Sequence, residues 1–416
     1  MIGRGKASPD HEIQDGAALE QVSVDEGNVP VKEDRRLTRR SFLRLGAALG
    51  LGPVLGACAR AADLWDEPSP VPVQPSPTPS PSPTPTLTPT AEPAPPVTPS
   101  PWPTPTPTAV EPQEDSMSRV ALIRTSDRIS GVRRALDLLA VGDPTGGTVV
   151  VKPNYNSADP TPGSTHEDVL RTLMEWVRDH SPDNIILAER SGMGQTRQVL
   201  EQRGVFALSE EFGFQVEVLD DLEADDWDLV QPPGSHWQRG FPFPSELFGQ
   251  ADYVLQTCCL KTHRYGGHFT LSLKNSVGLA AKYVPGEDYN YMSELHSSPH
   301  QRLMIAEINA AYTPDLIVLD GVEAFVEGGP ARGEKVQANV VLAASDRVAL
   351  DAVGVAILRH FGTTPAVSQG SVFEQEQIRR SVELGLGAAA PEEIEIVSDD
   401  EEGAAFADAV RQILVA

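Results

Sequence analysis

One stretch of this chain carries cations and imidazoles without any acid among them. Residues 253–284 contain no acidic side chain, although Asp and Glu outnumber Lys and Arg by 59 to 33 in the whole chain. The stretch carries Lys261 and Lys274, and the imidazoles of His263 and His268 lie between them. Clustered positive charge attracts small anions such as phosphates and carboxylates, and histidine transfers protons near neutral pH. These residues predict an anion site with acid–base chemistry; the alternative is a solvated basic loop that pairs with acids elsewhere in the fold.

Backbone groups of the same stretch can add to the attraction. Gly266 and Gly267 allow main-chain N–H groups to approach a ligand closely. Residues 272–274 (Ser-Leu-Lys) can open a helix whose positive N-terminal end would also attract the anion. We expect this loop to face residues 152–154 (Lys-Pro-Asn), because both segments follow predicted strands.

The elements that must position these residues alternate between short apolar runs and amphipathic stretches. We predict strands at Val120–Arg124, Thr148–Lys152, Asn184–Glu189, Gln215–Leu219, Tyr253–Cys258, Leu316–Leu319, Val340–Ala344 and Ile394–Val397. We predict helices at Asp168–Arg178, Leu303–Ala311, Val348–Arg359 and Phe406–Leu414. This alternation indicates an α/β fold in which a mainly parallel sheet has helices on both faces. Such a sheet binds its ligands at the carboxyl ends of the strands.

Polar side chains follow five of the predicted strands, at residues 152–154, 189–192, 261–263, 320–323 and 345–346. The candidate catalytic residues are His166, His263, His268 and Asp320. The candidate anion-binding residues are Lys152, Asn154, Lys261, Lys274 and Asn275. Plainer interpretations are a turn at Asp320, a helix cap at Asp346 and the acidic first turn of a helix after His166.

A divalent metal is a second interpretation of the same residues. His263 and His268 would then be ligands, with Asp320 or Glu323 completing the site. The five-residue spacing of the two histidines permits such a site without being diagnostic of it.

Two adjacent cysteines, Cys258 and Cys259, end a predicted strand. We expect buried, reduced thiols there, and a strained vicinal disulfide or a thiolate metal ligand are the alternatives. The chain has no C-x-x-C pattern, so we expect no iron–sulfur cluster. The identity of any other cofactor is left open by the sequence.

The N-terminal residues 1–58 have the features of an export signal. Arg39 and Arg40 form a twin-arginine pair, and the apolar run Leu45–Ala57 is too short to cross a bilayer. Cys58 follows Leu-Gly-Ala, the pattern of a lipobox. We expect the twin-arginine export machinery to be a partner, cleavage before Cys58, and a lipid on Cys58 that anchors the chain to the outer face of the cytoplasmic membrane. Proteins that use the twin-arginine route fold, often with a cofactor, before they cross the membrane.

Residues 59–116 are predicted to be a disordered stalk. Residues 68–112 hold 19 of the 37 prolines of the chain and no Lys or Arg. Residues 117–416 are long enough for one large α/β domain, and they carry 44 acidic against 24 basic residues. That sign argues against a nucleic-acid partner.

The polar motifs as a series are similar to those of the domain of unknown function 362 family. They are Lys152-Pro153-Asn154, Thr165-His166, Lys261-Thr262-His263, Ser272-Leu273-Lys274-Asn275 with Gly278, Asp320-Gly321, and Ser345-Asp346 leading to Asp351. The resemblance runs from about Val120 to Gly387 and implies a fold and a set of site positions without an established reaction. It also implies an association with iron–sulfur proteins and ferredoxin fusions, although this chain lacks ferredoxin cysteines.

Two functional classes follow from these features. The first is an enzyme or cofactor-dependent catalyst that holds a small anionic substrate with lysines and moves a proton with a histidine. The second is a non-catalytic, stalked binding protein for a small anion or metal, or a redox-associated accessory protein without its own cluster. We favour the enzyme, because a binding protein would not need both imidazoles and acids at the strand ends.

Overall fold

The computed structural model of this protein describes residues 117–140 and 142–416. The export signal, the lipidation site and the stalk predicted for residues 1–116 lie outside the described residues. Within the described ranges, no helix is both long and apolar enough to cross a membrane.

Nine strands of the described part form one sheet, and two more form a separate hairpin. The strands are β1 (Ser118–Arg124), β2 (Thr148–Lys152), β3 (Asn184–Glu189), β4 (Gln215–Val218), β5 (Asp228–Val230), β6 (Phe241–Phe243), β7 (Tyr253–His263), β8 (His268–Thr270), β9 (Leu316–Gly328), β10 (Gly333–Ala344) and β11 (Ile394–Val397). The sheet order is β11-β1-β10-β9-β7-β2-β3-β4, with β8 paired to β7, while β5 and β6 form the hairpin. Only β8 and β10 run antiparallel to their neighbours in this sheet, which confirms the predicted mainly parallel arrangement.

Helices cover both faces of the sheet. They are α1 (Arg128–Leu139), α2 (Glu167–Asp179), α3 (Thr196–Gln202), α4 (Val205–Phe212), α5 (Ser245–Gly249), α6 (Ser272–Asn275), α7 (Tyr291–Ser297), α8 (Gln301–Ile308), α9 (Arg347–His360), α10 (Pro365–Ser368), α11 (Glu376–Glu383) and α12 (Glu401–Leu414). Alternate residues of β1 enter different cores: Ala121 packs with α1 and α2, and Leu122 packs with α9 and α12. This period of two is what a strand buried on both faces requires.

Three of the predicted strands have the predicted bounds, namely β2, β3 and β11. β7 continues from Cys258 to His263, and β9 continues from Leu319 to Gly328. These polar extensions are strands because they pair with β8 and β10, a contact that local hydrophobicity does not predict.

Candidate functional site

A buried ion pair lies at the carboxyl ends of β2 and β3. The two strands are parallel neighbours, so Lys152 and Glu189 emerge at the same edge, and the Lys152 Nζ to Glu189 Oε1 distance is 2.7 Å. Both side chains are almost completely buried. Lys152 Nζ also donates to Pro153 O (2.6 Å) and to Asn275 Oδ1 (3.5 Å). All three N–H groups of this ammonium are therefore used within the protein.

Gly278 closes the space above this pair. A Cβ atom at Gly278 would lie 2.7 Å from Glu189 Oε1 and 3.0 Å from Lys152 Nζ. The Gly278 carbonyl also accepts a hydrogen bond from Arg190 N (3.2 Å). The position requires glycine because the backbone itself contacts the ion pair.

Two asparagines connect the ion pair to a second lysine. Lys261 Nζ donates to Asn154 Oδ1 (2.7 Å) and to Gly163 O (2.5 Å). Asn154 Nδ2 in turn donates to Asn275 Oδ1 (2.9 Å), which also accepts from Lys152. The structure thus brings four of the five predicted anion-binding residues into one network. Their side chains bond to one another, to Glu189 and to backbone carbonyls, which differs from the direct contacts to a ligand that we expected.

Lys274, the fifth, is in a different situation. Its side chain is 6% exposed, and among the described residues its ammonium has no hydrogen-bond acceptor and no carboxylate within ion-pairing distance. Burial, with a smaller contribution from the positive charges of Lys261 and Arg190, lowers the pKa of Lys274 to about 8. It is the one lysine of this cluster with all three of its N–H groups left for a ligand.

His263 is the imidazole that lies beside Lys274. Its Nδ1 is buried and has no hydrogen-bond partner in the described structure. Burial and the nearby Lys274 charge hold the pKa of His263 well below its ordinary value, so the ring is neutral at pH 7. Both side chains pack on Gly267, where a Cβ would lie 2.6 Å from Lys274 Cε and 3.0 Å from His263 Nδ1. Gly267 is needed because these two side chains pack closely against its backbone. The sequence had indicated a different role, the close approach of a main-chain N–H group to a ligand.

His268 has other neighbours. It is opposite His263 in the β7–β8 pairing, but its φ of 64° is in the left-handed region. Burial lowers the pKa of His268, with a smaller contribution from the charge of Arg302 and an opposing one from Glu376. In the part of the chain that the structure describes, no group of three or more His, Cys, Asp and Glu side chains could hold a metal ion.

Asp320 and His166 belong to another group of side chains. Asp320 is fully buried; its Oδ2 accepts from Arg128 Nε (2.8 Å) and its Oδ1 from Val322 N (3.0 Å). The His166 ring accepts from Asp168 N (3.1 Å) and caps α2. Glu167 and Asp168 form the acidic first turn of this helix, which the plainer interpretation expected. Neither Asp320 nor His166 contacts the lysine network through a hydrogen bond. Asp346 likewise caps α9 through Val348 N and Ala349 N.

The helix expected to point its N-terminus at the ligand is α6, and the structure corrects that expectation. The first N–H groups of α6, those of Ser272 and Leu273, donate to the two carboxylate oxygens of Asp351 at 2.8 and 3.0 Å. Asp351 is fully buried on α9, and burial raises its pKa to about 7. The positive end of α6 is therefore already occupied by a carboxyl group of the same chain.

Glu189, Arg190 and Asp351 were recognised as parts of motifs but were not assigned roles from the sequence. Arg190 is buried and donates to Ala280 O (2.6 Å) and Val277 O (2.5 Å), which fixes the segment after α6. The position of Glu189 and Arg190 at the end of a predicted strand was the signal that could have identified them.

Both cysteines of β7 are free and buried. Burial raises the pKa of the Cys259 thiol to about 12, and that of Cys258 well above its ordinary value. The two side chains are therefore protonated thiols, the form in which cysteine packs as a small apolar residue.

Comparison with known proteins assigns the chain to a family. Neither the curated proteins nor the solved structures contain a match to this sequence. A family model described as "Domain of unknown function (DUF362)" matches residues 149–356, which is half of the chain. That region is shorter than the Val120 to Gly387 span expected from the motifs, but it contains β3, β7, all of β2 except Thr148, and the lysine network. The chain belongs to the DUF362 family.

Proposed function

We propose that the α/β domain of this protein is an enzyme that acts on a small phosphate- or carboxylate-bearing substrate. Lys274 and the charge of Lys261 would hold the anion, and His263 would accept a proton. Lys152, Asn154 and Asn275 would position Lys261 and the loop around it.

The observation that carries this proposal is the unbalanced charge of the cluster. Lys152, Lys261, Lys274 and Arg190 are buried together, and Glu189 is the one carboxylate within ion-pairing distance of any of them in the described structure. Buried charges in proteins are normally paired, because leaving water without a partner is unfavourable. A bound anion would supply the missing negative charge.

The surroundings of His263 favour catalysis over simple binding. A binding protein needs cations and N–H donors but no neutral, unpartnered imidazole beside them. His263 supplies such a base, with Nδ1 unpartnered and the ring 5.8 Å from the exposed Tyr265 ring. A non-catalytic anion carrier remains the second candidate, and the residues of the network would serve it equally.

We further propose that the domain is exported by the twin-arginine machinery and held at the outer face of the cytoplasmic membrane by a lipid on Cys58. The support is the order of Arg39-Arg40, the apolar run to Ala57 and the lipobox cysteine, followed by the proline-rich segment.

Calorimetric titration with inorganic phosphate, and separately with acetate, tests the anion site. We expect Lys274→Met to weaken binding about ten- to a hundred-fold, the effect of losing one charged hydrogen bond. Lys335→Ala is the matched control, because Lys335 is exposed and pairs with Glu323 away from the network. Equal affinity of the wild type and the Lys274→Met variant would contradict the proposal.

Replacement of His263 separates the two candidate functions. If the protein is an enzyme, His263→Asn should retain phosphate binding within a few-fold and should lose turnover once a substrate has been found. Retention of full turnover would favour another base.

A further inference from the structure

The three lysines of the cluster differ in how many of their N–H groups are committed. Lys152 Nζ has three acceptors and Lys261 Nζ has two, whereas Lys274 Nζ has none in the described structure. The N–H groups of Lys274 are therefore all available to a substrate. Lys274 instead has cations as its charged neighbours, namely Lys261 and Arg190.

We propose that Lys274 is a nucleophile that forms an imine with a small aldehyde or ketone carrying an acid group, such as a 2-oxo acid. This inference rests on the proposed anion site and names its substrate class. A lysine becomes nucleophilic when its neutral form is favoured, and both burial and adjacent positive charge favour that form.

The charge on Lys274 is consistent with this role. With a pKa of about 8, on the order of 10% of the amine is neutral at pH 7, against less than about 0.1% for an ordinary lysine. Lys261 keeps a third N–H group that is not committed to Asn154 or Gly163, and its positive charge would attract the acid group of the substrate.

The reaction needs no oxidant or other co-reactant. The Lys274 nitrogen attacks the carbonyl carbon; a C–N bond forms while the carbonyl π bond breaks, and a proton passes from nitrogen to oxygen to give a carbinolamine. Loss of that hydroxyl group with a second proton gives the imine and one molecule of water. His263, packed with Lys274 on Gly267, would take the proton from nitrogen and return one to the departing hydroxyl.

The test is reductive trapping on the purified full-length chain at pH 7. The protein is incubated with glyoxylate, a carbonyl compound with a carboxylate, or with acetaldehyde, which has none, in the presence of cyanoborohydride. Peptide mapping by mass spectrometry then measures modification at Lys274 and at Lys282, an exposed lysine of the same stretch. We expect glyoxylate to modify Lys274 more than about ten-fold faster than Lys282, on the basis of the neutral-amine fractions. Acetaldehyde should show a smaller preference for Lys274.

Several outcomes would overturn this inference. If the protein binds phosphate but glyoxylate modifies Lys274 no faster than Lys282, the imine is refuted and the anion site stands. If neither phosphate binding nor selective modification is found, both proposals fail. If acetaldehyde modifies Lys274 in preference to Lys282 by the same factor as glyoxylate does, the requirement for an acid group is refuted. Lys274→Arg keeps the charge but has no primary amine, so it should retain phosphate binding and lose the selective adduct.

Discussion

At the residue scale, identical side chains have different tasks because their partners differ. Lys152 lies in a closed ion pair, Lys261 bonds neutral oxygens, and Lys274 is unpartnered in the described structure. Substitution of Lys152 should therefore lower the stability of the fold, whereas substitution of Lys274 should change ligand binding and reactivity. The sequence alone assigned all three lysines to one anion site.

Replacing Lys152 by Met should destabilise the fold strongly. The change leaves Glu189 buried without its counter-ion, and breaking a buried pair in this way lowers the free energy of unfolding by about 3–5 kcal/mol. The double variant Lys152→Met with Glu189→Gln should recover part of the loss, because it buries no lone charge. Urea denaturation measures both. Lys335→Ala, which removes an exposed pair, should change stability by less than about 1 kcal/mol. A loss of that small size at Lys152 would contradict the buried pair.

Asp351 should make stability depend on pH. In the unfolded chain its carboxyl group loses its proton near pH 4, whereas in the folded protein it keeps the proton until about pH 7. Between these values the folded state binds more protons, so the free energy of unfolding should fall as pH rises from about 4 to about 7. Asp351→Asn keeps a carbonyl acceptor for α6 but does not titrate. The difference in the free energy of unfolding between wild type and variant, measured by urea denaturation at several pH values, should become smaller toward acid pH. A difference that does not depend on pH would show that Asp351 is ionised throughout this range.

At the scale of elements, strand ends and short connections assemble the site. β2 and β3 supply the ion pair, β7 supplies Lys261 and His263, and α6 supplies Lys274 and Asn275. Their relative placement depends on tight backbone contacts, of which the one at Gly278 is the closest to the ion pair.

Gly278→Ala should therefore disturb the site from the backbone. The added methyl group would overlap Glu189 Oε1, and overpacking of this kind destabilises by about 1–3 kcal/mol. The matched control is Gly249→Ala in α5, where a Cβ meets nothing within 4 Å; it should be neutral or slightly stabilising. Thermal melting of the two variants compares them directly. Similar melting temperatures would mean that the segment after α6 moves away from the ion pair without loss of stability.

At the scale of the whole molecule, the chain combines an acidic α/β domain with an N-terminal region predicted to deliver it. The basic network is enclosed by a domain whose net charge is strongly negative. This distribution limits non-specific binding of large polyanions while leaving a local positive field for a small one.

Export should depend on the twin-arginine pair itself and not only on its charge. Changing Arg39 and Arg40 together to Lys should leave the uncleaved chain in the cytoplasm, as judged by fractionation and by mass. Cys58→Ala tests the anchor separately, since it should prevent acyl labelling while leaving residues 117–416 unchanged. Normal export of the double Lys variant would rule out this route.

The sequence by itself determined the alternation of strands and helices, because the apolar period of each segment is a local property; β2, β3 and β11 have the predicted bounds. It also determined that residues 253–284 carry cations without any acidic side chain. Only the tertiary structure decided which cations are neutralised. Lys152 meets Glu189 across 37 positions of the chain, and Lys261 meets Asn154 across 107. Such partners are chosen by the order of strands in the sheet, which brings distant strand ends to one edge, and this order is not encoded in the pattern of any single segment.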